Sequence, residues 1–297
     1  MADPYFVEGM PTDPSKDHFV KAKALGGFAK ACAIRSTEIV RTAQQLHGTS
    51  PSVTAALGRF MTGSLLISEN MKNDTDTQTT IIKSDGPIRG MTCVCDSSFH
   101  CRAYPVNSSI EGDTEPHVKA AVGMGTLSVI RDIGMREPYG GQVELKTGGI
   151  GEDFTYYLMA SEQTPTIMAL GVLLEEGKVK HAGGLMVQLM PGYGEEEISY
   201  LEKRANGFPD VTYFLDEGFS PAQLIDLFMG DPEMEYIEAS ETSFLCPCSK
   251  DKMAAGLMTL SRKDLEELAG DSKGIDTECR FCNGKYHFSP EEIRAML

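Results

Sequence analysis

The sequence has 297 residues, of which 41% are hydrophobic, and its formal net charge at pH 7 is −16. A chain of this length and composition can bury a sizeable core and predicts about two domains. The negative charge argues against a nucleic-acid partner, because such binding requires Lys and Arg to neutralise phosphates, and against an anionic membrane surface.

The amino-terminal segment MADPYFVEGM lacks the basic region and apolar run of a secretory signal peptide. No stretch approaches the ~20 apolar residues of a membrane-spanning helix. Eight cysteines would suit a secreted protein, but their spacing indicates a metal site, and the lack of an export signal favours a reducing compartment. We therefore expect a cytoplasmic protein.

Alternating apolar and polar residues, bounded by turn-forming residues, predict strands in the first two thirds of the chain. The predicted strands are two within 17–35, then 79–83, 89–95, 100–106, 126–134, 167–174 and 183–190. Apolar residues at helical spacing after capping residues predict helices, one of them after Ser50-Pro51, an N-cap followed by a first-turn proline. The predicted helices span 37–45, 51–66, 153–161, 195–206, 222–229, 262–269 and a short segment from residue 290.

Short turns join many of the predicted strands, which favours antiparallel pairing and an α+β fold. The run Pro191-Gly192-Tyr193-Gly194 marks a change in composition, after which charged amphipathic helices follow. We predict three parts: a core domain of mainly antiparallel sheet with packed helices over 1–190, a helical linker over 191–238, and a small zinc-binding domain over 239–297.

The two predicted linker helices are short and lie between residues that break helices. Helices of this length have little stability of their own and depend on the surface against which they dock. Two interpretations therefore stay open at this point. The apolar faces of these helices either pack permanently on the first domain or pack there only under some conditions.

The most specific signal lies near the C-terminus, in the segments FLCPCSK (244–250) and ECRFCNGKYHF (278–288). Each segment places two thiols close together, so the two pairs can supply the four corners of one tetrahedron. Zinc favours this arrangement, with Zn–S distances near ~2.3 Å. We predict that Cys246, Cys248, Cys279 and Cys282 are the ligands of one zinc ion.

The residues around these thiols support the prediction. Pro247 keeps Cys246 out of the helical region. Gly284 tolerates the positive φ that turns backbone amides towards a thiolate. With four thiols available, we assign His287 to a hairpin or to a supporting contact, and not to the metal.

The four cysteines also permit other interpretations. They can be separate buried residues, or Cys279-Arg280-Phe281-Cys282 can be the active site of a dithiol oxidoreductase, although the strand-then-helix context of such a site is lacking. Residues i and i+2 of a strand have Cα atoms about 6.6 Å apart, near the upper limit for a disulfide. Both pairs can therefore exist as zinc thiolates or as local disulfides.

We predict structural roles for the remaining cysteines. Cys93, Cys95 and Cys101 lie close together with His100, which permits a second metal site. The preferred interpretation is structural, because Cys93 and Cys95 alternate on one face of a predicted strand, as small buried residues do, and Cys32 lies on a separate strand. No placed nucleophile motif or catalytic constellation occurs in the sequence. We therefore predict that the protein is not an enzyme.

The cysteine spacing at the end of a chain of this size resembles the bacterial redox-regulated thirty-three-kilodalton heat-shock chaperone family, a family of holdases also called chaperonins. Four other segments are similar to that family as well, so the resemblance covers most of the chain. They are SPSVTAALGR (50–59), GTLSVIRDIGMREPYGGQVEL (125–145), SEQTPTIMALGV (161–172) and AGGLMVQLMPG (182–192).

The resemblance implies a cytoplasmic holdase that uses no ATP. It implies that the reduced protein is inactive and holds one zinc ion through its four thiolates. Oxidants would form the disulfides Cys246–Cys248 and Cys279–Cys282, release zinc, and unfold the linker and the zinc domain. The exposed core domain would then bind unfolding client proteins and form homodimers. Cys32, Cys93, Cys95 and Cys101 have no place in the family's motif.

Three hypotheses from different classes follow from these observations. The first is the redox-switched holdase. The second is a constitutive protein-binding module with purely structural zinc, and the third is a thiol-disulfide oxidoreductase. The zinc content and the free-thiol count before and after oxidation distinguish them.

Overall fold

The computed structural model describes residues 13 and 15–297; residues 1–10, for which the sequence predicts no signal peptide, lie outside the described part. The strands are β1 (His18–Ala24), β2 (Ala29–Arg35), β3 (Thr77–Ser84), β4 (Gly90–Asp96), β5 (His100–Pro105), β6 (Gly125–Asp132), β7 (Tyr139–Glu144), β8 (Thr166–Glu175), β9 (Lys178–Leu189), β10 (Glu235–Glu241), β11 (Ser243–Phe244), β12 (Ile275–Glu278) and β13 (Lys285–Phe288). The helices are α1 (Thr37–His47), α2 (Pro51–Ile67), α3 (Val118–Val122), α4 (Gly151–Ser161), α5 (Glu195–Ala205), α6 (Val211–Asp216), α7 (Pro221–Met229), α8 (Lys250–Leu257), α9 (Arg262–Ala269) and α10 (Pro290–Arg294).

The strands and helices predicted from the sequence are present within a few residues of their predicted bounds. Capping residues explain the good agreement at helix ends: Pro51 opens α2 after the N-cap Ser50, and Gly48 ends α1 in the left-handed conformation with φ 58°. Among the described residues, no helix is both long enough and apolar enough to cross a membrane.

Two sheets organise the part of the chain up to Phe244. A five-stranded sheet has the order β10-β1-β2-β9-β8, and a six-stranded sheet has the order β11-β5-β4-β3-β6-β7. Neighbouring strands pair antiparallel, except that the short β11 pairs parallel with β5. The predicted α+β fold with mainly antiparallel pairing is confirmed.

Helix α2 forms the centre of the larger hydrophobic core. Every residue from Ser52 to Ile67 except Arg59 is buried, and the helix contacts β8 and β9 of one sheet and β4 and β5 of the other. Its alanine, glycine and serine residues let these neighbours approach, while Phe60 stacks on Phe154 of α4. A helix that is buried on all sides needs no charged face, which explains why Arg59 is the one charged residue of α2 and why its other polar residues are small serines and threonines.

A second core lies on the other face of the five-stranded sheet, under α5, α6 and α7. The sheet contributes small residues from β1 and β2, and the helices contribute large ones, among them Phe214, Phe228 and Met229. Gly171 in β8 permits the close approach of α6, because a Cβ at this position would lie 2.5 Å from Cγ2 of Thr212. The predicted linker helices therefore dock on this sheet face in the structure.

The chain divides into two compact units, one extending to Phe244 and the other over Leu245–Leu297. Residues 191–238, which we predict as a linker, lie within the first unit, and β10 runs across position 238. The three-part functional division at residues 190 and 238 stays a prediction.

The C-terminal unit is small and has a small core. It contains α8, α9, the hairpin of β12 and β13, and α10. Its buried hydrophobic cluster consists of Leu265, Ala269, Phe288 and Ile293. A core of this size contributes little free energy of folding, so the unit relies on other constraints.

Candidate metal centre

Two irregular segments of the C-terminal unit bring the four predicted cysteines together. Cys246 and Cys248 lie between β11 and α8, and Cys279 and Cys282 lie in the turn that joins β12 to β13. The first pair lies in a segment without regular secondary structure, and not on a strand as its spacing had suggested. Pro247 explains this, because proline supplies no N–H to a ladder.

The four sulfur atoms all lie within 4.8 Å of one another. Sγ of Cys246 is 3.6 Å from Sγ of Cys279, and Sγ of Cys248 is 3.3 Å from Sγ of Cys282. Four sulfurs bound to one tetrahedral ion at ~2.3 Å would be about 3.8 Å apart. The distances therefore fit a single four-coordinate ion, and the all-thiol donor set suits Zn²⁺. We conclude that the cluster can hold a metal ion.

The backbone of the β12–β13 turn wraps around the second pair. The N–H of Cys279 donates to the Gly284 carbonyl at 2.9 Å, and the N–H of Asn283 donates to the Cys279 carbonyl at 2.8 Å. Asn283, and not Gly284, takes the left-handed conformation with φ 56°, so the predicted positive φ belongs to the preceding residue. Gly284 instead leaves room beside the second pair, because a Cβ there would make a tight contact of 3.3 Å with Sγ of Cys282.

Backbone amides also point at the sulfurs, as predicted from the Cys282-Asn283-Gly284 sequence. The N–H of Cys248 donates to Sγ of Cys246, and the N–H of Gly284 donates to Sγ of Cys282. These bonds stabilise a thiolate. In both cases burial outweighs them, so the pKa of the Cys246 thiol and that of the Cys282 thiol are raised above the usual value.

Cys248 differs from its neighbours because a tyrosine hydroxyl faces it. The Tyr286 hydroxyl of β13 donates to Sγ of Cys248 at 3.1 Å. This hydrogen bond lowers the pKa of Cys248 to about 7, and it raises the pKa of Tyr286 to about 12 because the hydroxyl proton is shared with the sulfur. Tyr286 was not among the residues predicted from the sequence. Its place two residues after Gly284, on the strand that leaves the turn, was the available signal.

His287 lies outside the cluster. It stands opposite Asp276 in the hairpin, and its Nδ1 is 2.9 Å from Oδ1 of that residue. The structure therefore agrees with its assignment to a hairpin contact.

The other cysteines lie in the N-terminal unit. Cys93 and Cys95 of β4 and Cys101 of β5 are fully buried, and the Cys93 and Cys95 sulfurs are 3.9 Å apart. Cys32 is buried in β2. Within residues 13 and 15–297, the only group of three or more potential ligand residues that is compact enough for a metal is the C-terminal one.

Comparison with known proteins decides the family. A sequence model of the family described as Hsp33 protein matches residues 17–289. The chain belongs to the Hsp33 family. The 33 kDa chaperonin of Agathobacter rectalis is 39% identical over 285 residues, which are 94% of this chain and 99% of that protein. The 33 kDa chaperonin of Bacillus subtilis is 36% identical over 286 residues, 94% of this chain and 98% of that protein.

A solved Hsp33 structure supports the same conclusion. The crystal structure of the 33 kDa chaperonin from Thermotoga maritima superposes with a TM-score of 0.84 at 29% identity, covering 95% of this chain and 97% of that one. The family resemblance stated from the sequence is therefore confirmed. Hsp33 proteins are chaperones and not enzymes, in agreement with the prediction that the chain is not an enzyme.

Proposed function

We propose that this Hsp33 protein is a redox-regulated, ATP-independent holdase of the cytoplasm that binds unfolding proteins under oxidative stress. Membership of the family supports a chaperone function. The redox part of the proposal depends on one observation: four thiols meet within 4.8 Å in a C-terminal unit that has few other buried contacts. The thiols can therefore act both as the sensor and as the element that holds the unit together.

The reduced, resting protein holds one Zn²⁺ per chain through Cys246, Cys248, Cys279 and Cys282. The ion, when bound, supplies a cross-link between two segments and the folding free energy that accompanies it, ~10–16 kcal/mol in finger peptides. A single core in a domain of this size rarely contributes more than ~3–5 kcal/mol. The fold of residues 245–297 therefore depends on its thiolates remaining available as ligands.

Oxidation removes those ligands. Formation of one disulfide takes two electrons and two protons from two thiols, and one molecule of hydrogen peroxide is reduced to two molecules of water. Two peroxide molecules convert the four thiols into Cys246–Cys248 and Cys279–Cys282, the pairs that the family resemblance implies. Neutral disulfides are not metal ligands, so the ion leaves and the C-terminal unit unfolds.

The linker helices, which belong to the N-terminal unit, respond to this change. They are short, and α6 spans only Val211–Asp216, so they depend on docking. The chain continues from them through β10 and β11 directly to Cys246. Loss of order at the cysteines frees this segment, and undocking of α6 and α7 uncovers the second core.

The uncovered surface is suited to varied clients. The sheet face is apolar, with small residues from β1 and β2, and the freed helices carry phenylalanine and methionine side chains. Flexible surfaces that contain methionine adapt to different partners. The same apolar face gives two oxidised chains a surface through which to form a homodimer, while the net charge of −16 opposes precipitation.

The proposal is tested by measuring zinc, free thiols and holdase activity on one sample. Reduced protein should contain one zinc and eight titratable thiols per unfolded chain, and should not suppress the aggregation of a thermally unfolding client. After peroxide at mild heat, four thiols and the zinc should be lost and suppression should appear. Sedimentation of the same sample should show dimers.

A matched control separates the sensor thiols from the buried ones. Cys32→Ala removes one thiol from the N-terminal unit and should leave zinc binding and switching unchanged, whereas Cys282→Ala should lose zinc and hold clients without oxidant. If the reduced wild-type protein already holds its clients and peroxide only inactivates it, the zinc is purely structural and the switch is disproved.

A further inference from the structure

Strand β10 is an edge strand whose charges match those of its partner. It pairs antiparallel with β1, and Glu235 and Glu238 stand directly opposite Lys23 and Lys21. Nζ of Lys21 lies 2.7 Å from Oε2 of Glu238. Opposite charges at directly opposed positions stabilise strand pairing by roughly 0.2–1 kcal/mol each. The pairing is thus selected by charge as well as by backbone hydrogen bonds.

The apolar contacts of β10 are few. Ala239 is its only buried residue, and the Ile237 side chain is 42% exposed. The register shifts between Lys21 and Ala22 so that Ile237 has no partner in β1, which is a β-bulge. Burial therefore contributes little to holding β10, and removing the strand uncovers little apolar area.

Helix α7, in its docked position, helps to hold β10 against β1. The hydroxyl of Tyr236 donates to the Ala222 carbonyl of α7 at 2.9 Å, and the Tyr236 ring packs against the second core. Asp231, between α7 and β10, accepts the backbone N–H of Leu25 at 2.6 Å. Undocking of α7 removes these contacts, so β10 is released with the linker.

Strand β1 has the opposite properties. It pairs along its whole length with β2, and Phe19, Val20 and Ala22 are fully buried. When β10 leaves, β1 stays in place and its outer row of N–H and C=O groups loses its partners. Such an edge is a template for another extended segment.

The charge next to this edge is positive, although the whole chain is acidic. Lys21, Lys23 and Lys30 lie on one face of β1 and β2, and the buried acid Glu69 pairs with Lys21 at 3.0 Å and with Lys30. With Glu235 and Glu238 gone, three lysines face one carboxylate. An incoming strand is therefore favoured when it brings acidic residues to this face.

We infer that β1 is an acceptor edge for extended client segments that carry acidic residues on one face and small or aromatic residues on the other, and that β10 occupies this edge in the resting protein. The inference rests on the proposed holdase function and names the class of segment that the freed site takes. In β10 itself the second face carries Tyr236 and Ala239, which contact the second core. Strand β10, with acidic residues on one face and small or aromatic residues on the other, is thus the template for the client segments that we expect.

The test uses full-length oxidised protein and a fluorescent heptapeptide with the β10 sequence EYIEASE. Anisotropy should show binding to the oxidised protein, at least tenfold weaker binding to the reduced protein, and at least threefold weaker binding of a scrambled peptide of the same composition. Excess EYIEASE should also reduce the suppression of client aggregation, since both compete for β1.

Reversing the charge of Lys23 tests whether the peptide binds β1 in the register that β10 has in the resting protein. Lys23→Glu changes an exposed side chain and is expected to fold normally, which circular dichroism checks. Oxidised Lys23→Glu should bind KYIEASE two- to fivefold better than EYIEASE, the reverse of the wild-type order, and this preference should shrink at high salt. Lys83→Glu, on β3 of the other sheet, is the matched control and should keep the wild-type order.

These experiments distinguish failure of the acceptor edge from failure of the holdase proposal. If the oxidised protein holds an unfolding client but binds EYIEASE and its scramble equally, or fails to reverse its preference with Lys23→Glu, the acceptor edge is disproved and the holdase stands. If the peptide binds in register but does not compete with client, the edge is not a client site. If the oxidised protein holds no client at all, the holdase proposal fails, and the inference fails with it.

Discussion

The Tyr286 hydroxyl lies 3.1 Å from Sγ of Cys248 and links strand β13 to the loop that carries the first cysteine pair. The contact joins two segments that are far apart in sequence, so it favours the arrangement in which all four sulfurs converge. A hydrogen bond to a metal-bound sulfur also reduces its electron density and its reactivity towards oxidants.

We expect Tyr286→Phe to weaken zinc binding by 10- to 100-fold, the range typical of outer contacts to metal ligands. Zinc release should begin at a lower peroxide concentration, because the Cys248 sulfur loses its hydrogen bond. Competition with a chromophoric chelator measures the affinity. Tyr139→Phe makes the same chemical change on an exposed strand of the N-terminal unit and should have no effect. Equal affinities for the two variants would contradict the role of the hydroxyl.

The pairing of the disulfides is a separate prediction. The shortest sulfur distances join Cys246 to Cys279 and Cys248 to Cys282, yet we expect oxidation to yield Cys246–Cys248 and Cys279–Cys282. Once the ion leaves and the unit unfolds, closing a short loop costs less chain entropy than closing one of about thirty residues. Proteolysis between residues 250 and 278 followed by mass spectrometry without reduction decides the matter. Local pairs leave the two fragments separate, whereas crossed pairs keep them joined.

The stability of the docked linker should set the threshold of activation. The guanidinium of Arg204 donates to the Phe228 carbonyl at 2.7 Å and to the Leu227 carbonyl, which satisfies the C-terminal end of α7. Arg204→Ala should cost about 1–2 kcal/mol of linker stability. It should give partial holdase activity at peroxide concentrations too low to activate the wild type. The exposed neighbour Lys203 is the control, and Lys203→Ala should behave as wild type in the same aggregation assay.

A pH dependence is expected from Asp17. Burial raises its pKa to about 6, although its Oδ2 accepts the backbone N–H of Ile39 at 2.9 Å. A raised carboxyl pKa means that the folded protein binds the proton more tightly than the unfolded chain does. The protonated Asp17 carboxyl therefore contributes fully to the free energy of unfolding below about pH 4. This contribution has an upper limit of ~3 kcal/mol and is lost as the pH rises through 6.

Denaturant unfolding of the reduced protein measures this effect. The free energy of unfolding of wild type minus that of Asp17→Asn should fall between pH 4 and pH 7 and be constant above pH 7, because asparagine does not titrate. A difference that does not change with pH would show that Asp17 is not desolvated as the structure indicates.

Local signals in the sequence determined much of the fold. Ser50-Pro51 and Gly48 fixed helix ends because capping involves only neighbouring residues. Partial alternation of apolar residues around the Gly26-Gly27 turn located the β1–β2 hairpin, although β2 is buried on both faces. The four cysteines identified the candidate metal centre because thiols at this spacing have few other uses.

Elements that depend on distant partners were not predicted. Strand β10 has the acidic sequence EYIEASE, and it is a strand because lysines of β1, more than two hundred residues earlier, stand opposite its glutamates. Helix α6 is too short to show a helical period and is held by its close approach to Gly171. The contact between Tyr286 and Cys248 likewise depends on how β13 lies beside the first cysteine pair.

The amino-acid sequence by itself determined which residues are able to bind a metal and where most helices and strands begin, since these properties depend on side-chain chemistry and on neighbours in the chain. Only the tertiary structure decided that the linker lies on a sheet face and that β10 covers the edge of β1. Those arrangements depend on pairings between distant segments, whose free energy appears only when the chain has folded.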